Sequence, residues 1–341
     1  MATTRGYSGK EFTVRLGIQD VSATNLGTQP ADNTHILTPV VYRLNGLSDI
    51  AWDAGYSRAE LSRSGQRLKR SNDIISHYGS GTWTWDFDWT MDNEVGIQNL
   101  LNLIYPSNAN GADHANGFVV NAAPTVDSMK HGQDGATNSV ANIIIKNPNG
   151  DEDRFMHSAV LQTLTLSMDA GTNGGVMGVS GQFMSGYKPG LGNYDTLMAS
   201  PDETSVFQRG LFDFTSTAQV GGHDASVKSI SITLSNPATR TGFQGASGET
   251  DGYSRGGDFD ITGNIVIKAD DNAMENLDEW IAGTPIAIAL TNGSDWTISM
   301  PSCVMGGHAM DLANEGVFVD IPFTATSGPA AGAVPFTFKC T

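Results

Sequence analysis

The sequence predicts a mainly β protein with two tandem modules of β-sandwich or barrel type, each with one flanking α-helix. Three observations carry this expectation. Apolar and polar residues alternate strictly along many short runs, forty glycines mark frequent turns, and a strand leading straight into an amphipathic helix occurs twice. The first occurrence is Gly81 to Ile104 and the second Gly257 to Ile281. At a constant offset Trp83, Phe87 and Trp89 fall on Ile261, Ile265 and Ile267, and Thr84 falls on Thr262. At one residue less, Ile97, Asn99, Leu100, Leu103 and Ile104 fall on Met274, Asn276, Leu277, Trp280 and Ile281. The pattern reads as a duplicated unit.

A chain of 341 residues is longer than one ordinary compact domain and suits two modules of roughly 150 residues each. The expected division is an N-terminal arm, 1–35; a first module, 36–186, with an insertion at 106–140; a linker, 187–205; a second module, 206–327; and a tail, 328–341. A formal net charge of −17 opposes sequence-independent binding to nucleic acid, whose phosphates would be repelled. It is compatible with an acidic wall past which DNA slides. No apolar run reaches membrane-spanning length, so no membrane anchor is expected. The opening MATTRGYSGK lacks the apolar segment of a signal peptide, and synthesis in a cytoplasm is expected. Cys303 and Cys340 could pair in principle; without metal-ligating company both are read as structural.

In chain order, the arm holds one apolar patch, Phe12 to Ile18, and is expected to be frayed or held by a neighbour. Val40 to Leu44 predicts a strand, and Ile50 to Trp52 the start of another after the Asn45-Gly46 turn signal. The polar connection Ala54 to Ser80 concentrates Arg58, Arg63, Arg67, Lys69 and Arg70. This basic island reads either as a solvated loop with a short helix from Arg58 to Lys69, or as a contact arm for an acidic surface on another copy. Next, Trp83, Trp85, Phe87 and Trp89 share one strand face while Thr84, Asp86, Asp88 and Thr90 share the other. The helix after it places Ile97, Leu100, Leu101 and Ile104 on one stripe and stops at Tyr105-Pro106.

The insertion has a single apolar island, Phe118 to Val120. Ile143 to Lys146, the turn Asn147 to Gly150, a strand around Phe155, a further strand through Leu164, Leu166 and Met168, and Val176 to Met184 complete the first module. Val227 to Leu234 opens the second, and Asp258 and Asp260 take the polar face of its repeated strand. Asn272 and Glu275 have capping-box spacing for its helix, and Gly283 with Pro285 stops it. Ile286 to Leu290 and Trp296 to Met300 form a hairpin about Asn292-Gly293, Val317 to Phe323 closes the module, and the tail alternates at Val334, Phe336 and Phe338.

No catalytic constellation emerges, and neither enzyme activity, a cofactor nor a metal is expected. Gly252-Tyr253-Ser254-Arg255-Gly256 has nucleophile-elbow spacing, but a strand follows where that motif needs a helix. The seven histidines show no ligand spacing. Asp151-Glu152-Asp153 lacks the other ligands of a calcium loop and is expected to be a water-facing turn. The aspartate pair Asp86 and Asp88, with Trp83, Trp85 and Trp89, is all that supports an alternative: a carbohydrate-binding β-sandwich protein, with or without glycoside hydrolase activity. Against it, Ile261, Gly263 and Ile267 stand at the matching positions of the second unit and cannot stack on sugars, so the aromatic face is expected to be core.

The order of strand, long loop, alternating strand, amphipathic helix, Asn-Gly hairpin and closing strands resembles the tail tube proteins of long-tailed bacteriophages, here with a duplicated tube module. The resemblance is clearest over Val227 to Thr326, in the runs VKSISITLSNP, GDFDITGNIVIKADDNAMENLDEW and GVFVDIPFTA, and is looser over Leu47 to Gly186. It implies a structural virion protein whose copies join edge strands into a ring lined by a β-barrel. Such rings stack into a tube through which DNA leaves without sequence-specific binding. Two modules per chain then imply a homotrimeric ring with pseudo-sixfold symmetry, other tail proteins at the tube ends, and assembly in the host cytoplasm. Under this resemblance Asp86, Asp88, Asp258 and Asp260 are candidates for an acidic lumen wall. Arg58, Arg63, Arg67, Lys69 and Arg70, with the loops 54–80 and 235–256 and the arm, are candidates for contacts between stacked rings.

Overall fold

Alternation along the chain builds antiparallel sheet through most of its length. The computed structural model describes residues 11–19, 27, 29–30, 36–44, 56–60, 74–78, 83–90, 94–104, 118–119, 140–148, 152–171, 175–198, 218–242, 249–255, 259–292, 296–312, 317–326 and 335–340, and it is mainly β. The first half comprises β1 (Thr13–Gln19), β2 (Ile36–Leu44), β3 (Tyr56–Glu60), β4 (Ile74–Tyr78), β5 (Trp83–Thr90), α1 (Glu94–Ile104), β6 (Phe118–Val119), β7 (Ala141–Lys146), β8 (Asp153–Asp169), β9 (Gly178–Ser185) and β10 (Gly190–Gly192). The second comprises β11 (Gln219–Val220), β12 (His223–Asp224), β13 (Val227–Ser235), β14 (Thr239–Arg240), β15 (Tyr253–Ser254), β16 (Asp260–Lys268), α2 (Asp271–Ala282), β17 (Ile286–Asn292), β18 (Trp296–Met305), β19 (Ala309–Asp311), β20 (Phe318–Ala325) and β21 (Thr337–Cys340).

In the first half, pairings of β1 with β2, β2 with β5, β5 with β9, β9 with β8, β8 with β7 and β7 with β1 return to their start, closing six strands into a barrel. The apolar patch of the N-terminal arm is therefore neither frayed nor held by a neighbour: Val14 and Leu16 on β1 are fully buried within the chain's own barrel. Helix α1 lies against β1, β2 and β8, with Ile97, Leu100, Leu101, Leu103 and Ile104 all buried. Each such side chain contributes roughly 1.5–3 kcal/mol relative to exposure, before conformational entropy is charged against it. The aromatic face of β5 is core as expected, with Trp85, Phe87 and Trp89 buried.

Strand β8 differs from expectation by being one element where two were predicted. It runs 17 residues, pairing with β7 and β10 near its start and with β9 and β13 further on. No turn residues interrupt it, and Ser158 within it takes the left-handed conformation at φ 48°. Residues 187–198, the start of the predicted linker, return to this strand: β10 pairs with its first residues, and Leu197 and Met198 bury beside Phe155.

From β8 the sheet continues without interruption into the second half, through β13, β16 and β20. Beyond β20 come β18 and β19; β17 lies along one side of β18, and β21 shares the other side with β20. The predicted Asn-Gly hairpins join β7 to β8 and β17 to β18. One hydrophobic core spans both halves, from Trp89 and Leu101 to Ile265 and Phe338. Gly263 keeps that core dense, because a Cβ there would lie 2.4 Å from the Phe323 ring and 2.5 Å from the Ser231 carbonyl oxygen.

Two further details depart from the sequence reading. The capping residue of α2 is Asp270, extended at φ −140° and ψ −174°, whose carboxylate accepts from the Ala273 N–H at 3.1 Å. Asn272 already lies in the first turn and donates instead to the Asp224 carbonyl at 2.9 Å, so the Asn272–Glu275 capping box does not form. Gly283, left-handed at φ 70°, ends the helix as expected. Arg58 sits in the β3–β4 hairpin, opposite Ser76, and not at the start of a helix, because the β-branched run at Ile74 and Ile75 offers strand pairing.

Candidate functional site: a continuous polar sheet face

Because side chains alternate, burying one face of the long sheet forces the other outward, and the registers align its polar residues in rows. One row runs Asp86, Gln182, Thr163, Ser235 and Asp260 across β5, β9, β8, β13 and β16. The next runs Asp88, Ser180, Thr165, Thr233, Thr262 and Thr324, reaching β20. Where the two halves meet, the Thr165 and Thr233 hydroxyls hydrogen-bond at 2.9 Å. Four strand spacings separate Asp86 from Asp260, or roughly 19 Å.

Asp86, Asp88 and Asp260 are thus exposed on one face, with Asp86 accepting a hydrogen bond from the Gln182 amide at 2.7 Å. Asp258 lies outside the described residues, as do Arg63, Arg67, Lys69 and Arg70; of the basic island only the backbone of Arg58 is described. Trp85 and Trp89 are buried and unavailable to stack on a sugar. Among the described residues no three metal-ligating side chains gather. The expectation for the acidic turn is corrected at Asp153, which is fully buried. Its carboxylate takes the Lys146 ammonium at 2.5 Å and the backbone N–H groups of Asn147 and Tyr194, so it ties the β7–β8 turn to the strand β10 that returns there. Lys146 also pairs with Asp195, whose carboxyl it holds below the ordinary range.

The joint between the halves carries a cluster that sequence reasoning missed. Arg255, buried, donates to the carbonyl oxygens of Asn236, Leu103 and Leu161, and Asn236 donates to the Ile104 carbonyl at 2.8 Å. The last carbonyls of α1, which no helix can satisfy internally, are therefore taken up by residues of the second half. Burial draws the Arg255 pKa down to about 9, which leaves it charged at neutral pH. Beside it, the Tyr253 hydroxyl, pushed up to about 12 by burial, donates to the Ser158 carbonyl and accepts from the Gly186 N–H. The only available signal was an arginine isolated in a glycine-rich loop of an acidic chain.

A closed barrel continued by a long antiparallel sheet, with one face packed and the other bearing rows of hydroxyls, amides and carboxylates, defines a structural β protein. Residues 20–340 match the phage tail tube protein family, and the chain belongs to that family. It is accordingly a structural component of the bacteriophage tail. No curated protein matches the chain.

Proposed function

We propose that three copies of this chain close into a ring, that such rings stack into the tail tube, and that DNA passes through a lumen lined by the polar face of the long sheet. The observation that carries this reading is the antiparallel joint of β8 with β13, across which the polar rows continue unbroken. Each chain then supplies two neighbouring sectors of a pseudo-sixfold wall. Matched registers support the duplication: β5 pairs with β9 through Trp83↔Ser185 and Trp89↔Val179, and β16 with β20 through Ile261↔Ala325 and Ile267↔Val319. A helix follows each inner strand, with Asn99 and Asn276 buried at matching positions.

Function follows from the chemistry of the face. Carboxylates at Asp86, Asp88, Asp258 and Asp260 repel phosphate, and the hydroxyl rows between them hold water; the exposed Lys228 and Lys268 sit at the far end of the same face, beside Phe318. The protein acts without catalysis or cofactor, engages DNA only in transit, and meets other tail proteins at the tube ends after assembly in the host cytoplasm. Arg63, Arg67, Lys69 and Arg70, with Arg58, join stacked rings by reaching acidic surface on the next ring.

Electron microscopy of the purified full chain tests the assembly: rings or tubes with a central hole, at a ring mass of three chains, are expected, and a protein that stays monomeric at all concentrations overturns it. Replacing the four aspartates by lysine should leave tubes intact and slow genome release; normal release refutes the lumen assignment. Serine at Arg63, Arg67, Lys69 and Arg70 should give rings that do not stack.

A further inference from the structure

Three places on the first half are covered by the second. Strand β13 takes the edge of β8, where Leu164, Leu166 and Met168 are buried. Ala238 and Tyr253 enclose Val160. Arg255 and Asn236 reach the last turn of α1, at Leu103 and Ile104. The second half has a counterpart of each, located by its register on β20 as those of the first half are located by register on β9.

All three counterparts are open. Met310 and Leu312 extend where Leu166 and Met168 lie in the first half, and they are 42% and 72% exposed. Val304 stands where Val160 does and is 48% exposed. At the end of α2, Trp280 and Ile281 are 39% and 71% exposed, whereas Leu103 and Ile104 are fully buried. The Gly283 N–H takes up the Glu279 and Trp280 carbonyls at the end of α2, and the Trp280 and Ile281 side chains are the apolar surface exposed there. His308, just before β19, hydrogen-bonds the Ala273 carbonyl in the first turn of α2 at 2.9 Å, so β19 starts beside that helix. Of the described strands only β20 pairs with β19.

We infer that this open side of the second half, made by β19, Leu312, Val304 and the last turn of α2, is the docking surface for the first half of a second copy of the chain. The contact made once inside the chain is repeated between chains, head to tail. Its occupant is specified by that internal precedent: β2 enters beside β5 at Leu44↔Trp89, the side on which β13 enters beside β16 at Val227↔Ile267. A joint of this heterologous kind produces a closed ring when its rotation closes and an open filament when it does not. The inference rests on the tube reading and assigns the surface through which that ring is joined.

The test uses the full chain with Ile281→Glu and Leu312→Glu, each at an exposed position, alone and together. Light scattering after size-exclusion chromatography and electron microscopy read assembly, and a thermal melt reads folding. Wild type is expected to form rings, and the double variant to melt as wild type does while needing about tenfold or more protein to assemble. Mixed into wild type, it should cap growing assemblies, because its first half still docks. Wild-type-like rings from the double variant overturn this surface and leave the tube reading standing. A wild type that forms neither ring nor tube overturns both. If the double variant melts early, each single variant is read the same way, and undiminished assembly by both overturns the inference.

Discussion

Replacing Arg255 by methionine removes the buried cation that ties the second half to the end of α1. Three hydrogen bonds from a charged donor are lost, to the carbonyls of Asn236, Leu103 and Leu161. At roughly 1.5–3 kcal/mol each the gross loss is about 4–9 kcal/mol. Removing the charge also relieves its desolvation, a return of several kcal/mol, and the methionine stem refills most of the volume. The expected net loss is about 2–4 kcal/mol, read as a lower urea midpoint by far-UV circular dichroism. Lysine at this position reaches fewer of the carbonyls and should fall between wild type and methionine. Asn236→Ala, which frees only the Ile104 carbonyl, should cost about 1 kcal/mol. A methionine variant with the wild-type midpoint would refute the assignment of this residue as the tie between the halves.

Other groups give separate outcomes. His157 is held below its ordinary pKa of 6.5 by burial, so the folded chain keeps it neutral while the unfolded chain takes up a proton. Its contribution is therefore present above about pH 6.5 and lost as pH falls below it, and His157→Phe should flatten the acid slope of the melting temperature; identical slopes would contradict this. Burial pushes the Cys303 thiol up to about 12, so in a Cys340→Ser background it should resist alkylation at mildly alkaline pH until the chain is unfolded. Gly263→Val should cost about 1–3 kcal/mol by overpacking against Phe323, while Gly306→Ala, where the nearest atom to a new Cβ is 3.6 Å away, should be close to neutral.

Much of this architecture is written in local pattern. The alternation in β5 names both the buried tryptophans and the exposed aspartates, and the spacing of Ile97, Leu100, Leu101 and Ile104 names the buried stripe of α1. What local pattern cannot carry is partnership at a distance. Phe12 to Ile18 reads as an isolated patch because its partners, β2 and β7, lie far along the chain. Asp153 reads as a solvated turn because nothing in its own segment announces the return of Tyr194 and Asp195 to Lys146. The two cysteines leave pairing open in sequence; in the fold Cys340 lies opposite Trp296, seven residues along β18 from Cys303, which is roughly 23 Å and beyond any disulfide. Arg255 was hidden most completely, since its three partners come from α1, β8 and the end of β13.

Strand β8 also has a mechanical meaning. Its first residues are laddered into the barrel and its later ones into the long sheet, so a pull along its axis loads both ladders in shear, and their hydrogen bonds must fail together instead of one after another. A single unbroken strand thus serves as a tension member between the barrel and the long sheet, beside the shared core and the Arg255 tie.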